Sequence, residues 1–199
     1  MLPHFNKMIS EEYGRKKGWL LCGYYSLIDY FGVFKKYRNI DWNRVNRLIF
    51  VCAGNICRSP YADMRCKLSG IDATSFGLNA DDGSSADYDA ARISSKLGVD
   101  LSLHKSKTQK NIQLRTGDLL IGMEPCHAKR LDTISAQYDT QVTLVGLWCK
   151  KERPYIQDPF GLSDEYFSNC FGYIDNGIDG ILLNMKKAGY VPKRESDSQ

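Results

Sequence analysis

Residues 48–51 (LIFV) place four apolar side chains in a row. Alternate residues of a strand point to opposite faces, so such a run fits a strand covered on both sides, and strands of that kind belong to parallel sheets sandwiched between helices. The chain that follows keeps to this pattern. Ser59-Pro60 opens a helix toward Leu68 that stops at Gly70, with Ser59 able to cap and Pro60 at the first helical position, where its missing N–H costs nothing. Residues 86–97 read as a second helix ended by Gly98, and residues 118–123 (DLLIGM) as a second buried strand. A third helix at 125–136 and a strand at 142–148 (VTLVGLW) come next. Ser163 then caps a last helix whose apolar stripe is Phe167, Phe171, Ile174, Ile178, Ile181, Leu182 and Met185. Repeated strand–helix alternation predicts an α/β fold, a mostly parallel sheet with helices on both faces. With 199 residues, 43% hydrophobic and 25% charged, the chain has enough apolar material for one core and is neither disordered nor fibrous.

Residues 1–46 stand outside this pattern and read as a helical N-terminal extension. Within 18–34 (GWLLCGYYSLIDYFGVF) the apolar positions Leu20, Tyr24, Leu27, Ile28, Phe31 and Phe34 recur at helical spacing, flanked by Lys16, Lys17, Lys35, Lys36 and Arg38. Two readings stay open: a helix that packs on its own domain, and an interfacial helix for a membrane surface, a partner or a second copy. No run of 18 purely apolar residues occurs, so no segment reads as transmembrane. Residues 189–199 read as a polar tail, frayed from Lys193 on. Lys+Arg 27 against Asp+Glu 23 leaves +4, interspersed along the chain, which does not mark a nucleic-acid binder and suits an anionic small ligand. Seven cysteines, odd in number and without a secreted spacing, and an opening (MLPHFNKMISEEYG) without a signal-peptide core point to a reducing, cytoplasmic compartment. None forms a Cys-x2-Cys pair, and His4 and His127 are too scattered for zinc; His127 is expected on the surface of the third helix.

The string from Cys52 to Pro60 (CAGNICRSP) lies between the first buried strand and the first helix, at the carboxyl end of a parallel strand, where ligands of such sheets bind. Loop amides and the positive helix end favour an anion there. Cys52 ends the strand and points its sulfur into that cup, where the dipole, the amides and the Arg58 cation favour a thiolate nucleophile. Arg58, six positions on, offers a planar fork that holds two phosphoryl oxygens. Ala53, Gly54, Asn55, Ile56, Cys57 and Ser59 complete the loop; Gly54 lets backbone approach a ligand, and Asn55 tolerates a left-handed conformation. Of the seven cysteines only Cys52 has Arg at the sixth following position, and it alone lies between a buried strand and a helix.

The segment VCAGNICRSP resembles the signature of the low-molecular-weight protein tyrosine phosphatases, and the similarity runs from about Arg47 to Lys187 through Ser75-Phe76-Gly77, His104-Lys105-Ser106-Lys107, the stretch 118–124 and Ile156-Gln157-Asp158-Pro159-Phe160. The resemblance implies a phosphatase domain over 47–188, a flavodoxin-like four-stranded parallel sheet, no metal or cofactor, and hydrolysis of phosphotyrosine through a cysteinyl-phosphate. It places the general acid at Asp158, which its following proline holds extended and out of helix. It also implies a hydrogen-bonded network of Asn55, Ser59, Ser75 and His104 behind the loop, and a redox role for Cys57 as partner of an oxidised Cys52. The implied partner is a phosphotyrosine protein, in bacterial relatives a tyrosine kinase of polysaccharide export.

This sequence also departs from the family pattern. Phe160 supplies one aromatic of the substrate cleft, but Gly161 follows it, and Ala80-Asp81-Asp82-Gly83 stands where the opposite wall belongs, so a more open and more acidic cleft is expected, with Tyr155 or Tyr88 as substitute walls. Three alternatives remain beside the tyrosine phosphatase. Arsenate reduction on this scaffold needs a downstream resolving cysteine pair, and only Cys126 is near that place. Arginine phosphatases carry Thr where Ile56 stands. The third is a phosphate-sensing docking module, which would lack the nucleophile or the acid.

Overall fold

The computed structural model describes residues 2–192, and the tail expected from residue 193 lies outside them. Helices α1 (Leu2–Tyr13) and α2 (Lys16–Tyr30) precede the alternating part, which runs β1 (Arg47–Cys52), α3 (Arg58–Lys67), β2 (Ala73–Gly77), α4 (Tyr88–Lys96), β3 (Asp118–Gly122), α5 (Pro125–Ser135), β4 (Gln141–Leu144) and α6 (Asp164–Lys187). The four strands form one parallel sheet in the order β2-β1-β3-β4, with Cys52 opposite Gly77 and Val51 opposite Gly122. The flavodoxin-like α/β architecture is therefore as the resemblance implied.

β1 shows why an unbroken apolar run is needed. Leu48, Phe50 and Cys52 join the core that α3, α4 and α6 cover, whereas Ile49 and Val51 join Leu120, Leu131 and Phe76 on the side of α5. Ser163 caps α6 by accepting the amide of Tyr166, and the stripe from Phe167 to Met185 is buried apart from Leu182, which is partly so. β2 carries Thr74 and Ser75 between apolar neighbours, so no continuous run flags it.

Three expectations are corrected. The last strand ends at Leu144, because residues 145–148 turn into a 3-10 helix whose Gly146 carbonyl accepts the amide of Arg153. Helix α3 starts at Arg58 with Cys57 as its cap residue, since the Ser59 hydroxyl is engaged by Cys52 and Asn55 instead of the helix end. His127 is not on the surface. It is 5% exposed and faces the sheet with Ala128 and Leu131, where Gly122 leaves room for its Cβ. The stripe of α2 and the turn after it divides: Leu20, Tyr24, Leu27 and Phe31 are exposed, Ile28 is half-buried and Phe34 buried, and the helix packs also through Gly18, Cys22 and half-buried Tyr25. Among the described residues no helix is long and apolar enough to cross a membrane.

Candidate active site

The turn from β1 into α3 wraps its backbone inside out. The carbonyls of Cys52 and Ala53 accept the amides of Leu78 and Asn79, that of Ile56 accepts Asp87 and that of Cys57 accepts Tyr61. The Asn55 carbonyl accepts His104 Nε2–H at 2.7 Å. With the carbonyls held outward, the amides are left for the concave side, which is how a nest for an anion is made. Asn55 takes the left-handed conformation expected of it, at φ 55°. Gly77 lets β2 press against the loop, since a methyl group there would stand 2.9 Å from the Asn55 nitrogen.

Cys52 ends β1 almost fully buried, and its Sγ accepts the Asn55 amide at 3.3 Å and lies 3.0 Å from Ser59 Oγ. The orientation of the Asn55 side chain settles the polarity of the network. Its Oδ1 accepts the Lys107 amide at 2.9 Å, so its Nδ2 must be the donor to Ser59 Oγ (2.8 Å) and Ser75 Oγ (2.9 Å). Ser75 passes its own hydrogen to Asp63 at 3.1 Å, and the Ser59 hydrogen is free for the sulfur whenever Cys52 is a thiolate. Asn55, Ser59, Ser75 and His104 thus stand together behind Cys52. Asp63 and Lys107 belong to the same network; Lys107 lies in the His104-Lys105-Ser106-Lys107 stretch, and no motif signalled Asp63.

Arg58 is 1% exposed although charged. Its Nη1 donates to Glu124 Oε1 (2.6 Å) and to the Ile156 carbonyl (2.9 Å), and its Nη2 lies 2.7 Å from Asp158 Oδ2. Burial opposes the charge, but the Asp158 and Glu124 carboxylates outweigh it and hold the guanidinium protonated. Nε, also buried, has no partner among the described residues, so the Nε/Nη2 edge keeps donors for a planar oxyanion. Glu124 was not singled out in the sequence. Its place after the carboxyl end of β3, at the N-cap position of α5 with its side chain free of the helix end, was the available signal. Glu124, Cys126 and His127 bring one ligand atom each within 4.8 Å of one another, with the Glu124 carboxylate already on Arg58.

Asp158, with a side chain 41% exposed, stands over this edge on a loop it helps to shape: its Oδ1 accepts the Phe160 amide at 3.3 Å, and the Leu162 amide closes on the Pro159 carbonyl. Phe160 is 58% exposed. Tyr155 is no cleft wall, because it is buried with its hydroxyl on Gln157 Oε1. Tyr88 is exposed at the first turn of α4, next to Asp87, whose amide bonds the loop at Ile56. The Asp82 carboxylate accepts the amide and hydroxyl of Thr108, which fixes its place in the 80–83 segment.

Titration of the surrounding groups follows from burial. The Cys57 thiol is pushed far up by burial and then by Asp158 and Asp87, so it stays protonated. Burial lowers His104, and burial followed by Arg58 lowers His127 to about 3. All seven cysteines are free.

The family model of the low molecular weight phosphotyrosine protein phosphatases matches residues 47–191. The chain belongs to this family. Among curated phosphatases of the family, the probable protein-tyrosine-phosphatase AmsI of Erwinia amylovora is 31% identical over 134 residues, 66% of this chain and 92% of that protein. The crystal structure of AmsI matches 70% of the chain with a TM-score of 0.59 at 27% identity, covering 92% of that chain. The Escherichia coli phosphatase Etp is 29% identical over 134 residues, 66% of this chain and 89% of that protein. The arginine phosphatase YwlE of Geobacillus stearothermophilus shares the fold, with a TM-score of 0.61 at 22% identity over 71% of this chain and 94% of that one. The family match leaves residues 1–46 of this phosphatase unaccounted for.

Proposed function

We propose that the protein hydrolyses phosphotyrosine in proteins, with Cys52 as nucleophile, Arg58 as phosphate clamp and Asp158 as general acid and base. The observation that carries the reading is the convergence of a sulfur that accepts the Asn55 amide and lies 3.0 Å from Ser59 Oγ, a buried guanidinium whose Nε has no partner among the described residues, and a half-exposed carboxyl 2.7 Å from its Nη2.

The steps follow from those atoms. The Cys52 thiolate attacks phosphorus while the bond from phosphorus to the phenolic oxygen breaks, and protonated Asp158 gives its proton to that departing oxygen. The loop amides and the Nε/Nη2 edge of Arg58 hold the equatorial oxygens, where charge accumulates. Asp158, now ionised, takes a proton from water as the water oxygen attacks the cysteinyl-phosphate. The P–S bond breaks, inorganic phosphate leaves and the thiolate is restored with Ser59 donating to it.

The partner class is a phosphotyrosine protein, and on the likeness to AmsI and Etp we take a bacterial tyrosine kinase of polysaccharide export as the specific candidate. The reduced thiols suit the cytoplasm. An apolar Ile56 favours tyrosine over arginine as the esterified residue. Rapid-quench mass spectrometry with a phosphotyrosine peptide tests the reading: phosphorus on Cys52 and none in Cys52→Ser supports it. Turnover without phosphorus ever on that sulfur, or preference for phosphoarginine, overturns it.

A further inference from the structure

The segment that carries Asp158 is gripped from outside the family domain. Between residues 152 and 162 the extension reaches the chain at one position after another. Arg38, paired through both nitrogens with Asp29, also holds Glu152 at 2.5 Å. The Arg153 guanidinium donates to the Glu12 carbonyl at 2.9 Å and lies over the Tyr13 ring. The Tyr155 ring stacks on Tyr25 with centroids 5.5 Å apart and planes 24° apart.

Closer to the acid, two glycines let the extension lie flat against the loop. A methyl group at Gly18 would stand 2.9 Å from Gln157 Oε1, and one at Gly14, whose φ of 74° excludes most side chains, would stand 2.5 Å from Leu162. Arg15, between them, brings its Nη2 alongside Gly161. The domain itself ties this stretch at the Arg153 and Ile156 amides and the Ile156 and Gln157 carbonyls. Gln157, next to Asp158, has its side chain between Tyr155 and Gly18.

From this we propose that the N-terminal extension is a positioning element for proton transfer. Residues 12–38 brace the loop 152–162 so that the Asp158 carboxyl meets the leaving-group oxygen, with Tyr25 as the chief positioning residue through its stack on Tyr155. The proposal rests on Asp158 being the acid. It gives residues outside the 47–191 family match a function in the reaction, without contact to substrate.

The test uses the full chain and two leaving groups. p-Nitrophenolate leaves readily unprotonated, whereas phenolate needs the acid, so a displaced Asp158 slows phenyl phosphate far more than p-nitrophenyl phosphate. Tyr25→Ala is expected to lower kcat about tenfold for phenyl phosphate and only about twofold for p-nitrophenyl phosphate, with little change in inhibition by vanadate, and Tyr25→Phe to restore both. Arg38→Gln, which releases Glu152 and Asp29 without touching the site, is expected to shift the same ratio about threefold in the same direction. Hydrogen exchange in Tyr25→Ala should quicken at 156–162 and stay unchanged in β1. Equal losses on both substrates, or an unchanged ratio in both variants, overturn the proposal. Asp158→Asn is the reference: if it too leaves the leaving-group ratio unchanged, the assignment of the acid is wrong and the inference falls with it. If it steepens the ratio and Tyr25→Ala does not, only the brace is refuted.

Discussion

Asp158 Oδ2 lies 2.7 Å from Arg58 Nη2, so in the free protein the residue assigned as acid sits on the group assigned to hold phosphate. The pairing has an energetic consequence for every oxyanion that binds. An incoming dianion must share Arg58 with a carboxylate, and the two negative charges repel one another across it. Asp158→Ala is expected to lower kcat toward phosphotyrosine peptides by about 10²–10³-fold while tightening vanadate and phosphate binding several-fold. Steady-state kinetics with inhibition constants check both halves together. Weaker oxyanion binding in the variant contradicts the pairing.

Asn55 carries more of the site than its size implies. One side chain accepts the Lys107 amide and donates to both Ser59 and Ser75, while its backbone is left-handed and its amide meets Cys52 Sγ. Asn55→Ala strains the backbone and strands buried polar groups, a loss of about 2–4 kcal/mol. Asn55→Gly relieves the backbone only, so it should recover part of the stability and little of the activity. Urea denaturation beside p-nitrophenyl phosphate turnover separates the two; full activity in the glycine variant means the network is not needed.

The apolar run LIFV and the cysteine–arginine spacing were legible because burial on both faces and a phosphate cup each demand particular residue types at fixed distances. Asp63 and Glu124 were not, since each acts through a partner 12 or 66 positions away and no local pattern marks a carboxylate that will meet a buried serine or arginine. The α2 stripe left its docking face open for a related reason. Periodicity at Leu20, Tyr24 and Leu27 says that a face is apolar, whereas the face that docks is chosen by fit, and Gly18 offers the flat spot against Gln157. His127 was placed on the surface because histidine is polar, yet the glycine at 122 lets α5 approach β3 closely at the His127 Cβ, and the side chain is buried there.

His127 makes acid stability a direct readout of that burial. Folded, its imidazole is held at about 3 by burial and by Arg58, against about 6.5 in an unfolded chain. Below 6.5 the unfolded chain takes up a proton that the folded protein refuses, so stability is complete above that pH and declines as pH falls toward 3. The contribution is at most about 1.4 kcal/mol per pH unit, and His104, lowered by its own burial, adds in the same direction. Urea midpoints at pH 7 and pH 5 should fall for the natural protein and fall less for His127→Phe. Identical slopes would show that this imidazole is not shielded.

Cys57 stands five residues after the nucleophile with its thiol held protonated by burial, Asp158 and Asp87. A sulfenic acid formed on Cys52 by peroxide can be captured by Cys57: the new S–S bond forms, the S–O bond breaks, and the oxygen leaves as water with the Cys57 proton. Because the attacking thiolate is scarce, capture should be slow at neutral pH and quicken as pH rises. Asp158→Asn removes one of the charges that suppress it and is expected to speed closure. Mild peroxide followed by dithiothreitol should restore activity, and Cys57→Ser should convert the same treatment into lasting loss, since the sulfenic acid then proceeds to sulfinic acid. Intact-mass measurement distinguishes the disulfide, two hydrogens lighter, from the two-oxygen adduct. Full recovery in Cys57→Ser would assign the protection to a different group.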